Sequence, residues 1–289
     1  MQRTGVRAPW WFLLPAVLAY GFVVVVPSLR GAGYAFTDWD GLQPDAAFVG
    51  LDNFVSIVSD SAARAAIGNT VLFAVAVTVL QNLVGLVLAL GVHSKIKSRA
   101  VLTGVFFAPT IIAPLVVAYL WQYLLTPSGP LNTGLERIGL GGLTRDWLGN
   151  SELALWAIVL VICWQFAGYS MVIFLAGLES VPKELLEAAE IDGANRWQKF
   201  FHVVRPLLAP ATTINLMLSL IGGFKLFDKI LIMTNGGPGT ATETLSTHIY
   251  KGAFQFGEYG YSVALALVLT VFIAVASGLQ FSFLRRGEQ

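Results

Sequence analysis

Leu153 to Leu178 reads LALWAIVLVICWQFAGYSMVIFLAGL, 26 residues without one charged side chain. A helix rises about 1.5 Å per residue, so roughly 20 apolar residues cross a hydrocarbon core about 30 Å thick. This stretch is long enough to span lipid as a helix. Five further runs match or approach it: Trp10–Leu29, Ala65–Val92, Val101–Leu125, Leu207–Met233 and Gly260–Leu284. Only Leu207–Met233 carries charge, with Lys225, Asp228 and Lys229 near its end. Unpaired backbone groups in lipid are costly, which favours helices, and the alternating pattern of barrel strands is missing. The predicted fold class is all-α: a polytopic transmembrane helical bundle of six spans in a single domain, 1–289.

Composition agrees. Hydrophobic residues make up 56% of the chain and charged ones 12%, against about 25% charged in soluble domains. A net charge of +1 argues against a nucleic-acid surface. Cys163, the one cysteine, lies in an apolar run and reads as a small buried residue. Arg3 and Arg7 ahead of an apolar run imitate a secretion signal. No small-residue cleavage pattern follows, so the first run is expected to stay as a span.

Basic residues orient the chain. With a cytoplasmic amino terminus, that side holds eleven: Arg3, Arg7, Lys95, Lys97, Arg99, Lys183, Arg196, Lys199, Arg205, Arg285 and Arg286. The opposite side holds seven: Arg30, Arg64, Arg137, Arg145, Lys225, Lys229 and Lys251. Both termini are therefore expected in the cytoplasm. Pro15, Pro109 and Pro114 interrupt spans, as tolerated kinks or as gating hinges. Gly85, Gly91 and Gly168 are candidate points of close helix contact.

The most informative polar segment is Glu179–Pro210, between the fourth and fifth runs. It reads as two short helices. Ser180 is expected to cap the first, with Pro182 in its first turn and Lys183 to Asp192 following. Leu186, Ala189 and Gly193 form a narrow face of shrinking side chains, and Gly193 ends the helix with positive φ. In the second helix, Ala194 to Val204, an apolar stripe of Trp197, Phe200, Phe201 and Val204 suits the membrane interface. Pro206 is expected to break it. From the residues alone, a docking element and an ordinary amphipathic loop both remain open.

The run Glu187-Ala188-Ala189-Glu190-Ile191-Asp192-Gly193-Ala194, continuing to Val203, Pro206 and Pro210, closely resembles the EAA loop of ABC importer permeases. It departs at Arg205, where that pattern has leucine, and at Val203, where it has isoleucine. The resemblance implies that Glu187, Ala188, Ala189, Asp192 and Gly193 couple the spans to a cytoplasmic ATPase. Thr234-Asn235-Gly236-Gly237-Pro238 with Ile249–Phe254, Phe36-Thr37-Asp38-Trp39 and Gly50–Phe54 resemble the carbohydrate branch of these permeases, of the maltose larger-permease and glycerol-phosphate permease type. That likeness implies a multi-pass protein of a prokaryotic inner membrane. Its implied partners are a second similar permease, two ATPase subunits holding ATP and Mg, and an extracytoplasmic sugar-binding protein.

The chain itself has no phosphate-binding glycine loop, and His93, His202 and His248 lack metal-ligand spacing. No catalytic activity or bound cofactor is expected of it. Substrate-binding candidates are Gln165, Phe166 and Tyr169 in the fourth span, and Ser219, Gly222, Gly223 and Leu226 in the fifth. Small-residue helix packing is the competing account of these positions. Lys225 and Asp228 are spaced to pair; snorkelling to the interface is the simpler expectation for this charged cluster, and an electrostatic role in substrate entry is the alternative. The predicted function is a sugar permease working by alternating access. The alternatives are an ABC permease for another solute or an ion-coupled carrier, and the latter wants mid-span acids that the charge-poor runs do not offer.

Overall fold

Helices form over the apolar runs and end where proline, glycine or a capping side chain ends them. The computed structural model describes residues 10–43, 46–94 and 96–286. Arg3, Arg7 and Lys95, counted above for orientation, lie outside them. Helix α1 spans Trp11–Phe36 and so continues past the expected end at Leu29. Then come α2 (Asp52–Ser59), α3 (Ser61–His93), α4 (Arg99–Ile111), α5 (Pro114–Leu124), α6 (Pro130–Arg137) and α7 (Ala154–Glu179). After these follow α8 (Lys183–Ile191), α9 (Arg196–Leu207), α10 (Ala209–Phe224), α11 (Asp228–Met233), α12 (Leu245–Phe254) and α13 (Tyr259–Arg286). No strand occurs among the described residues beyond an isolated bridge between Thr37 and Phe48.

Four helices, α1, α3, α7 and α13, are long and apolar enough to cross a membrane unaided. Two bent pairs raise the number to six if each pair is one span: α4 with α5, bent by 94°, and α9 with α10, bent by 69°. The expected continuous span Val101–Leu125 is thus two helices meeting at Ile112–Ala113. Pro114 supplies no N–H and opens α5 at its first position, where none is needed. The expected span Leu207–Met233 is also interrupted: α10 ends at Phe224 and α11 begins at Asp228. A pair of glycines, Gly222 and Gly223, weakens the helix just before that break.

Prolines act one step upstream of themselves in this chain. Gly21–Val25 and Phe200–Val204 are both π-helical, and each ends two residues before a proline, Pro27 and Pro206. A helical proline cannot donate to the carbonyl four residues back and its ring crowds that carbonyl. A wider turn upstream relieves both. Pro206 therefore does not break α9, as expected from sequence; the helix runs through it and bends only at Leu208.

Contacts divide the chain into two compact units. The first comprises Met1–Ser59 and Ile249–Val268. Within it Asn53 Nδ2 donates to the carbonyls of Ala35 and Thr37, each at 2.9 Å, holding α2 against the end of α1. The Trp39 ring stacks on Tyr34 at 4.1 Å and meets Tyr259 at 5.6 Å. Gly260 donates its N–H to Trp39 O at 2.9 Å, and a Cβ there would lie 2.2 Å from Thr37 O. The two motifs Phe36–Trp39 and Gly50–Phe54 are thus tied together by backbone contacts that only short or amide side chains permit.

The second unit comprises Asp60–His248 and Leu269–Gln289. Here α7 is central: 67% of its spanning window is buried, so it packs on protein nearly all round. Helices α3, α4 and α10 pack on it. Phe73, Val77, Val117, Ile158, Ile162 and Ile230 form one core cluster, and Ala89, Met171, Phe174, Leu178 and Leu208 another. Glycines set the closest approaches. A Cβ on Gly85 would lie 2.5 Å from Ser170 Cβ, and one on Gly223 2.6 Å from Ala74 Cα, whereas Gly91 has open space around it. Close backbone approach of this kind is how helices associate in lipid, where burying apolar area brings little gain.

Candidate functional site

Helix α8 follows α7 after a sharp turn at Ser180–Pro182. Ser180 does not cap α8; its hydroxyl donates to Gly177 O at 2.7 Å and closes α7 instead. The residue ahead of α8 is Pro182, which has no capping side chain. At the other end Gly193 takes φ +77°. Its N–H donates to Glu190 O at 3.0 Å and that of Ala194 to Ala189 O at 2.9 Å, the paired bonds of a glycine-terminated helix. The expected end of α8 at Gly193 is observed.

Most of α8 is exposed. Glu187, Ala188, Asp192 and Gly193 face solvent, as does Ile191 at 86% exposure; only Leu186 and Ala189 are half-buried. Of the face Leu186, Ala189 and Gly193, the first two turn inward and Gly193 does not, while Leu185, Ala188 and Ile191 are left on the outside. Asn195 and Gln198 form a reciprocal capping box that starts α9. Lys199 Nζ joins Glu190 Oε1 at 2.5 Å, fixing the angle between α8 and α9. That ion pair holds the Glu190 carboxyl below its ordinary pKa, through the Lys199 hydrogen bond first and its charge second. Trp197 stacks with Phe201 at 6.1 Å, and Trp197 remains 73% exposed, as an interface anchor requires. Arg99 pairs with Glu179, tying the start of α4 to the end of α7.

Between α3, the α4–α5 bend, α7, α10 and α11 lies a cavity of about 420 Å³. Phe166, Tyr169, Ser219, Gly222, Gly223 and Leu226 all line it, so six of the seven substrate-binding candidates come together. A Cβ on Gly222 would meet nothing within 4 Å, which fits a position facing open space. Gln165 stands apart. It is fully buried, its Nε2 donates to Ile112 O at 3.0 Å, and its own carbonyl accepts from Thr110 Oγ1 at 2.8 Å. Its amide satisfies a backbone carbonyl freed by the α4–α5 break.

Sequence reasoning missed the polar network beside the cavity. Asn82 Nδ2 donates to Ser219 Oγ at 2.7 Å, and Gln81 Nε2 to Ser170 Oγ at 2.9 Å. Asn215 Nδ2 donates to Ser170 O at 3.0 Å. These residues sit in runs that otherwise read as apolar, and their spacing on three separate helices leaves no one-dimensional trace. In the charged cluster Lys225 and Asp228 are exposed, and Lys229 departs from the expectation. Lys225 and Asp228 form no ion pair, since the α10–α11 break separates them. Lys229 does not snorkel: it is 4% exposed, with Nζ 5.1 Å from the Phe166 ring centroid.

On the turn after α11, Asn235, Gly236 and Gly239 take φ of 49°, 84° and 60°, as the glycine-rich run predicts. Asn69 Nδ2 anchors this turn through Thr240 O at 2.8 Å and Glu243 O at 3.0 Å. His248 Nδ1 lies 3.3 Å from Glu243 Oε1, and Nε2 lies 3.4 Å from Asp60 Oδ2. No cluster with metal-binding geometry occurs among the described residues.

Among the described residues, a helical chain with four to six candidate spans, an exposed helix between two of them and an internal cavity fits a membrane transport component. The chain belongs to the binding-protein-dependent transport system inner membrane component family, whose model matches residues 81–288. It is 39% identical over 281 residues to the probable starch degradation products transport system permease protein AmyD of Thermoanaerobacterium thermosulfurigenes, covering 96% of this chain and 94% of that one. To the multiple sugar-binding transport system permease protein MsmF of Streptococcus mutans it is 32% identical, covering 96% of each. Its fold matches the crystal structure of a bacterial ABC transporter involved in import of the acidic polysaccharide alginate, with a TM-score of 0.83 and 25% identity over 95% of this chain and 94% of that one. The protein is a multi-pass inner-membrane permease component of an ABC importer, a family of transport subunits rather than enzymes.

Proposed function

We propose that this chain is one of two permease subunits of an ATP-driven importer for a sugar or sugar derivative. Six spans, with α4–α5 and α9–α10 each counted as one, leave both termini on one side, taken as the cytoplasm from the distribution of basic residues. Helix α8 docks with a separate ATPase through Glu187, Ala188, Ala189, Asp192 and Gly193. Two such ATPase subunits hold ATP and Mg, and their closure tilts α8 and rotates α7 and α10. The 420 Å³ cavity then opens outward to receive solute from an extracytoplasmic binding protein. Hydrolysis returns it inward.

The observation that carries this reading is the exposure of α8, a rigidly ended helix with most of its surface unpacked. The sugar class is supported by the names of the relatives, which refer to starch degradation products and multiple sugars. The test is to isolate the chain with its co-purifying subunits and measure ATP hydrolysis with the binding protein and a panel of sugars. Stimulation by a sugar, together with cross-linking of Glu187→Cys to the nucleotide-binding subunit, is the expected result. Uptake that persists without ATP and collapses with a proton uncoupler would overturn it.

A further inference from the structure

We infer that Lys229 sets the charge of the cargo, and that the cavity accepts a sugar carrying a carboxylate or phosphate group. Resting on the reading of this cavity as the transport site, the case begins with burial. Lys229 is 4% exposed, yet it lines the cavity. Among the described residues no carboxylate lies within 4.0 Å of its Nζ. Asp228 precedes it on the same lining; its exposed carboxylate attracts Lys229 through its charge but makes no contact ion pair with it. A buried ammonium without an anionic partner is strongly disfavoured, and within a membrane protein such a group marks a ligand or ion path. The Phe166 ring face, 5.1 Å away, compensates only in part.

Three neutral donors of the lining are already committed. Gln81 Nε2 donates to Ser170 Oγ at 2.9 Å, Ser219 Oγ to Asn215 O at 2.8 Å, and Thr110 Oγ1 to Gln165 O at 2.8 Å. The charged lining residues are Lys225, Lys229 and Asp228, so the cavity lacks one negative charge for balance. A neutral sugar would leave Lys229 uncompensated. An anionic one places its charge on Nζ, a charge-assisted contact, while Phe166 and Tyr169 offer ring faces for the apolar side of the sugar.

The complete importer with its own binding protein, in proteoliposomes containing ATP, is given trigalacturonate, trehalose phosphate or maltotriose. We expect uptake of trigalacturonate or of trehalose phosphate, and whichever is carried tells carboxylate from phosphate recognition. Lys229→Met should lower that uptake about tenfold or more, the worth of one hydrogen bond to a charged group. Lys229→Arg, which keeps the charge, should restore much of it and guards against a folding defect. Uptake of maltotriose alone would overturn the inference while leaving the sugar-permease reading intact. So would anionic uptake to which Lys229→Met is indifferent. No uptake of any of the three would remove both.

Discussion

A Cβ on Gly168 of α7 would lie 2.0 Å from the carbonyl oxygen of Phe106 in α4 and 2.9 Å from the Cα of Phe107. The two helices therefore meet backbone to backbone at one glycine. Alanine there must push them apart, and overpacking of this kind costs about 1–3 kcal/mol. Gly168→Ala should lower the thermal unfolding midpoint of the detergent-solubilised importer. Gly222→Ala, with nothing within 4 Å of its Cβ, should leave that midpoint unchanged or raise it, because alanine favours the helix over glycine. Equal effects of the two would contradict the packing described.

Gly193 raises a different demand. Nothing lies near its absent side chain, but its φ is +77°. A β-branched residue in that region costs roughly 1–2 kcal/mol, which unwinds the end of α8 rather than the fold. Gly193→Val should insert and assemble normally yet lose sugar-stimulated ATP hydrolysis, with Gly193→Asn retaining part of it because asparagine tolerates this conformation. Wild-type coupling in the valine variant would show that the ending of α8 is dispensable.

His248 gives the protein a pH-dependent contact outside its spans. The hydrogen bond with Glu243 raises its pKa most, burial opposes this, and the charges of Glu243 and Asp60 add to the rise. A raised folded-state value means the imidazolium form stabilises the fold. That contribution is complete below the unfolded value of about 6.5 and is lost as pH climbs through the higher folded value. The difference in unfolding midpoint between wild type and His248→Gln should therefore be larger at mildly acidic than at alkaline pH. A difference that grew with pH would reverse the assignment.

Gln165 supports the broken helix rather than the cargo. Gln165→Leu strands Ile112 O without its donor, a loss of about 0.6–1.7 kcal/mol for interhelical hydrogen bonds in lipid. We expect a lower unfolding midpoint and an unchanged order of preference among transported solutes. A reordered preference would place Gln165 in the solute path.

Much of this molecule was legible from one dimension. The runs around Leu153–Leu178 and Ala65–Val92 became α7 and α3 because the free energy of leaving water is a local, additive property of consecutive side chains. Gly193 was placed correctly as a chain-direction change, since backbone sterics belong to the single residue. The candidates Phe166, Tyr169, Ser219, Gly222 and Gly223 line one cavity from two helices, and Leu226 joins them from the break after Phe224.

Three features needed the folded chain. Hydropathy alone draws Val101–Leu125 and Leu207–Met233 as straight spans, yet the first is bent by 94° and the second breaks after Phe224. A break is stable only where a neighbour, here Gln165, meets the freed carbonyl. Lys229 was expected at the interface and is buried, because the α10–α11 break turns it toward Phe166. What the amino-acid order determined by itself is which segments enter lipid and where the backbone must turn, for those are energies of neighbours along the chain. Which side chains face one another across helices was decided by tertiary packing, because those energies exist only between residues that the sequence holds far apart.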